Sequence, residues 1–156
     1  MAPWRVFGER YETADMSNTR VHQPTTFGQD VILIGCRVWF IVYNNPPFTS
    51  LSMKVYSNNA GSPKKLLHTS TNTQAKAAVH TLDHAVNEFW FDFASIPLRG
   101  GDTYHFVVNA TGYTGTESSH LAWMRGFPDP VHRPSPFGYV HAGVAPFTLY
   151  FIGSEV

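Results

Sequence analysis

Cysteine is almost missing from this chain of 156 residues: the one present, Cys36, lies inside an apolar run. That count excludes an intramolecular disulfide and a zinc site built from thiolates. A thiolate needs an electropositive, accessible setting, so the expectation for Cys36 is a buried structural thiol. Charge is also scarce, at 14% of residues against roughly 25% in ordinary soluble domains. Eleven basic and eleven acidic residues cancel, so no field of one sign is available to attract nucleic acid. No run approaches the roughly 18 apolar residues of a membrane helix, and the opening Met-Ala-Pro-Trp-Arg has no signal-peptide h-region. Folding in a cytoplasm is therefore expected, and the sequon Asn109-Ala110-Thr111 reads as chance. Amphipathic helical periodicity is absent as well, which leaves no crossover helix for a parallel sheet.

Aromatic residues, by contrast, make up 15% of the chain and hydrophobic residues 43%, enough for one compact domain with a core of its own. Period-two alternation recurs throughout, as strands require. Residues 4–11 suit a short first strand, followed by a polar connection to Gln29 that reads as an extended arm. Residues 31–43 (VILIGCRVWFIVY) form the longest apolar stretch, the pattern of a buried central strand, and Gly35 within it marks a bulge, a bend or a break between two strands. Asn44-Asn45-Pro46-Pro47 ends it. Residues 51–57 alternate Leu51, Met53 and Val55 against Ser52, Lys54 and Tyr56. Residues 58–63 form a turn, and 66–71 and 75–82 are weaker strand candidates.

Residues 88–93 place Phe89, Phe91 and Phe93 inward and Trp90 outward. A Pro and Gly-Gly connection over 94–102 leads to 103–109, where Tyr104, Phe106 and Val108 oppose His105, Val107 and Asn109. Residues 120–124 are a short strand candidate. Residues 127–137 carry Pro128, Pro130, Pro134 and Pro136, a surface loop of extended character. Residues 147–152 close the chain as a strand. The fold class expected is all-β: an antiparallel, two-sheet, jelly-roll-like sandwich of about eight strands over residues 30–156, preceded by a strand and arm over 1–29.

Three stretches carry a family likeness: Tyr56-Ser57 through Gly61-Ser62-Pro63, then Phe89-Trp90-Phe91-Asp92-Phe93, then Ile96-Pro97-Leu98 through Gly101-Asp102-Thr103-Tyr104 to Val108. Together they resemble the jelly-roll sandwich domains of phage virion proteins and bacterial surface proteins, over roughly residues 30–125. The resemblance implies a non-catalytic module used for capsid decoration, tail adhesion or sugar recognition. Its partners would be further copies of itself, a trimer being one candidate state, on a capsid or tail lattice, in a virion whose proteins are made in the host cytoplasm. A carbohydrate-binding adhesion module is the alternative. No cofactor is implied.

Local spacing offers little chemistry. His80, Asp83 and His84 would suit a metal on a helix face, but on a strand i and i+4 are about 13 Å apart. His22, His68, His105, His120, His132 and His141 are scattered. No serine elbow or phosphate loop occurs. Glu88 and Asp92 flank Trp90 and could bracket a glycosidic bond, yet exposed carboxylates beside an aromatic are usually solvated or paired. Aromatic side chains are the better lead. Trp90, Tyr56 and Tyr150 fall opposite the inferred core positions, and Trp4, Phe7, Tyr11, Phe27, Phe127 and Phe137 lie in segments without regular pattern. Three readings stay open for them: packing under loops, a protein interface, or a platform for sugar rings.

Overall fold

A computed structural model describes residues 22–113, 119–123 and 149–155. Nine strands are present among them: β1 (Gln23–Thr26), β2 (Val31–Tyr43), β3 (Ser50–Asn59), β4 (Ser62–Thr69), β5 (Gln74–Ala75), β6 (Val86–Leu98), β7 (Thr103–Thr111), β8 (His120–Trp123) and β9 (Leu149–Glu155). All pairings are antiparallel and fall into two sheets. Sheet A runs β1-β7-β3-β4, with β5 beside the other end of β3; sheet B runs β6-β2-β8, with β9 also on β2. The chain is thus the two-sheet antiparallel sandwich that its alternation predicts.

β2 carries sheet B. On one edge it pairs with β6 from Val31 to Ile41; on the other it pairs with β9 over Val31 to Val38 and with β8 over Phe40 to Tyr43. The two shorter strands therefore lie end to end along one edge. Trp123 stands opposite Phe40 and Leu149 opposite Val38. In register terms they are one edge strand interrupted by the stretch between Trp123 and Leu149.

Gly35 sets the phase of β2. Pairing with β6 and with β9 slips between Leu33 and Gly35, so Val31 and Leu33 face the core on one side of the irregularity and Cys36, Val38, Phe40 and Val42 on the other. All six are completely buried. A matching irregularity sits on β6, where Ser95 has φ of 53°; Phe89, Phe91 and Phe93 point inward before it and Ile96 and Leu98 after it. β6 is consequently longer than the expected 88–93, because the bulge lets residues 94–98 continue the strand instead of turning away. Pro97 is tolerated because β6 is an edge of the sheet.

The core between the sheets is aromatic. Phe106 of sheet A meets Phe151 of sheet B with ring centroids 4.9 Å apart, and Phe27 packs edge-on to Phe151 at 5.1 Å. Phe40 stacks on Trp123 at 6.0 Å. Burying each such ring contributes about 1.5–3 kcal/mol. Phe27 belongs to this core, and β1 pairs with β7, so Gln23–Thr26 and Phe27, inside the segment read as an arm, are part of the sandwich.

Two further expectations change. Residues 75–82 are not a strand: β5 has two residues, a 3-10 turn follows over Lys76–Ala78, and residues 80–85 form a loop. Lys76 explains the break, since its Nζ donates to Pro46 O at 2.7 Å and lies over the Phe48 ring, drawing the chain across the sheet end. The 58–63 turn is tighter than expected. Ala60 and Gly61, both at positive φ, make a two-residue type I′ hairpin between β3 and β4.

Two substitutions test this packing. Phe91→Ala should cost about 3–5 kcal/mol through the cavity it leaves, seen as a lower urea midpoint with an unchanged m-value. Gly153→Ala should destabilise by about 1–3 kcal/mol, because its methyl would press on the Ile32 carbonyl oxygen, which is backbone and cannot swing aside.

Candidate functional site

Trp90 and Tyr56 do not meet. Trp90 is on the outer face of sheet B and 40% exposed. Tyr56 stands opposite His105 and Leu66 in register, on the outer face of sheet A. The sandwich separates them, so they cannot share a ligand. Tyr150 takes the register position across Arg37 from Trp90, in the same cross-strand row of sheet B. Phe27 is in the core, while Trp4, Phe7, Tyr11, Phe127 and Phe137 lie outside the described residues.

Trp90 is held firmly. The Arg37 guanidinium sits 3.8 Å from its ring centroid and 3.9 Å from Glu88. Its carbonyl oxygen accepts hydrogen bonds from Asn72 Nδ2 at 3.0 Å and Gln74 Nε2 at 2.6 Å. Asp92 N–H donates to Asn72 Oδ1 at 2.7 Å. The amides of Asn72 and Gln74 thus take the place that a neighbouring strand would have, closing the outer edge of β6. Glu88, Trp90 and Asp92 form one outward row, as their spacing predicts, with Arg37 drawn to Glu88.

The outer face of sheet B carries further apolar side chains besides Trp90, set among Arg37, Glu88 and Asp92. Ile34, Val86 and Trp90 are 47%, 44% and 40% exposed, whereas Trp39, on the same face, is only 7% exposed. This explains the apolar run of β2, which only Arg37 interrupts with charge: its inward residues fill the core and its outward ones contribute to this face.

The loop over 80–85 is pinned rather than open for a ligand. Asn87 Oδ1 accepts from His80 N–H and Asn87 Nδ2 donates to His80 O. Asp83 Oδ1 accepts from Asn44 N–H at 2.9 Å, and its Oδ2 lies 3.0 Å from His84 Nδ1. Among the described residues no three His, Cys, Asp or Glu side chains converge as a metal set. Cys36 is fully buried, and burial pushes its thiol well above the ordinary range, with the Asp92 charge adding to the shift. It is the structural thiol that its apolar surroundings predict.

Sequence spacing gives no hint of a polar constellation on sheet A. His105 faces away from the core yet is completely buried. Its Nδ1 lies 2.9 Å from Nδ1 of His22, and its Nε2 lies 2.8 Å from Asn58 Oδ1. Asn58 Oδ1 also accepts from Gly61 N–H at 3.0 Å, so it is an acceptor here. It follows that His105 carries its hydrogen on Nε2, and that the neutral His105 Nδ1 accepts from Nδ1–H of His22. Burial, with the neighbouring His22 second, lowers His105 to about 4. Burial lowers His22 as well.

Beside this triad a cleft of about 490 Å³ opens at the end of β3 and the start of β7, lined by Ser57, Asn58, Leu67, Gly101, Asp102, Thr103 and Tyr104. The β6–β7 turn that walls it is tied down at each residue. Arg99 N–H donates to Tyr104 Oη, Gly100 N–H to Asp30 Oδ1 and Gly101 N–H to Phe27 O. Gly101 has φ of +85°, a conformation that favours glycine.

No family model, curated protein or solved structure matches the chain. No helix among the described residues is long and apolar enough to cross a membrane.

The histidine pair generates a pH prediction. His105 binds its proton more weakly folded than unfolded, where its value is near 6.5. Between about pH 6.5 and 4 the unfolded chain therefore holds more protons, and stability falls with falling pH, by up to about 1.4 kcal/mol per unit for one proton. Above pH 6.5 the contribution is complete. Urea midpoints at pH 7 and pH 5 should drop more for the native chain than for His105→Gln, which retains an N–H for Asn58 but cannot take up the proton.

Proposed function

We propose that this chain is a non-enzymatic structural subunit that works by assembling with copies of itself, as a capsid decoration or tail-associated protein of a phage virion. The observation that carries the assembly reading is the set of exposed apolar side chains on the outer face of sheet B. Val86 and Trp90 stand exposed there on either side of Glu88, with Ile41 and Trp39 across from this row, and Ile34 is exposed farther along β2. Patches of this kind favour association over an isolated state. Zero formal net charge and the low charged fraction act in the same direction, since charge repulsion between copies is weak. The virion setting rests on the resemblance of residues 30–125 to jelly-roll domains of phage proteins.

A carbohydrate-binding adhesion module is the second reading, favoured by one observation: the exposed Trp90 ring is held rigid by Arg37 and by the two amides on its carbonyl, with Glu88 and Asp92 on either side. Rigid aromatic surface with polar neighbours suits stacking against sugar.

Light scattering on the eluting protein separates the readings. The expected result is a closed oligomer at micromolar concentration that the double variant Val86→Glu/Trp90→Glu converts to monomer without loss of folded signal. A native chain that runs as a strict monomer and is retained on a glycan array through Trp90 would replace assembly with adhesion.

A further inference from the structure

We propose that the cleft between the end of β3 and the β6–β7 turn is a binding site for a single pyranose ring of a glycan. Its volume of about 490 Å³ lies within the roughly 300–1,000 Å³ of small-molecule sites. The β6–β7 turn on one side of it is tied down by the protein itself, through the N–H groups of Arg99, Gly100 and Gly101.

The polar groups around the cleft have complementary hydrogen-bonding capacity left over. Asp102 is exposed, and its carboxylate has no hydrogen-bond or ion-pair partner among the described residues. Asn58 has its oxygen occupied twice, by His105 Nε2–H and by Gly61 N–H, which leaves Nδ2 as the donor for a ligand. Ser57 Oγ accepts from Lys65 N–H, and Tyr104 Oη accepts from Arg99 N–H, so each hydroxyl keeps its own hydrogen to donate. Leu67, 38% exposed, supplies an apolar wall.

Three donors around one carboxylate select a hydroxyl-rich neutral molecule. A sugar hydroxyl both donates to a carboxylate and accepts from an amide or phenol, whereas an ammonium group could use Asp102 alone. Bonds to the charged oxygen are the stronger ones, and the C–H face of a pyranose fits against Leu67. His105 has a positioning role: fixed as the Nε2–H tautomer, it orients the Asn58 amide. The site lies away from the sheet B face, so a monomer and an oligomer would both carry it. The inference stands apart from the assembly reading and differs from a sugar platform on Trp90.

Amide NMR of the full chain, titrated with the methyl glycosides of glucose, galactose and N-acetylglucosamine, tests the assignment. At least one glycoside should shift the signals of Asn58 and Gly101–Tyr104 in a dose-dependent way. Asp102→Asn should weaken that binding about tenfold, the effect of losing a charge-assisted bond, with an otherwise native spectrum. Trp90→Ala should titrate like the native chain. The proposal is overturned if none of the three probes moves these signals, if the shifts centre on Trp90, if Asp102→Asn binds undiminished, or if ethylammonium chloride produces the same response as the glycosides. Light scattering remains the separate measure of assembly.

Discussion

The pairing of β2 along both of its edges is the constraint on which the rest of sheet B depends. β2 is thirteen residues long, and every other strand of the sheet takes its register from it. Both of its faces carry apolar side chains, with Arg37 the charged exception among the outward ones. Its inner side chains fill the space between the sheets. Its outer ones place Ile34, Trp39 and Ile41 beside Arg37 on a face where Trp39 is almost wholly enclosed while Val86 and Trp90 of β6 remain in contact with solvent. The assembly reading grows from this face.

Irregularities in the sheet are matched, not scattered. The slip at Gly35 on β2 has its counterpart around Ser95 on β6, so both strands reset their alternation at the same level and both keep apolar residues inward to their ends. Gly153 on β9 lies against the same level of β2, where any side chain would meet the backbone. The exposed edges are guarded by different means. Asn72 and Gln74 cover the carbonyl of Trp90 on β6, and β4 carries Pro63, Lys64 and Lys65 with two register slips against β3, features that discourage indiscriminate strand addition.

Polar chemistry is concentrated at one end of sheet A, assembled from distant parts of the chain. His22 and His105 are 83 positions apart and Asn58 lies 47 from His105, yet antiparallel pairing of β1, β7 and β3 brings them within hydrogen-bond distance. The hairpin turn completes the set, because Gly61 N–H defines which end of the Asn58 amide faces His105. One turn thereby closes a hairpin, fixes a histidine tautomer and presents a donor to the adjoining cleft.

Strand content, the inward phenylalanines of β6, the bulge at Gly35 and the outward position of Trp90 were legible in the sequence, because each follows from period-two alternation within a few residues. The extension of β6 through Pro97 was not, since Pro97 followed by Gly100-Gly101 reads locally as a turn and only the pairing with β2 keeps residues 94–98 in the strand. Nor was the loss of the strand at 75–82, which follows from Lys76 reaching across to Pro46. The sequence by itself determined that this chain is an all-β sandwich with an aromatic core and a surplus of apolar surface. Tertiary structure alone decided that Tyr56 and Trp90 stand on opposite faces, that His22 meets His105, and that Asp102 and Asn58 line one cleft. The physical reason is that alternation specifies which way a side chain points within its own strand, whereas neighbours across strands are set by register and by sheet order, which no local pattern encodes.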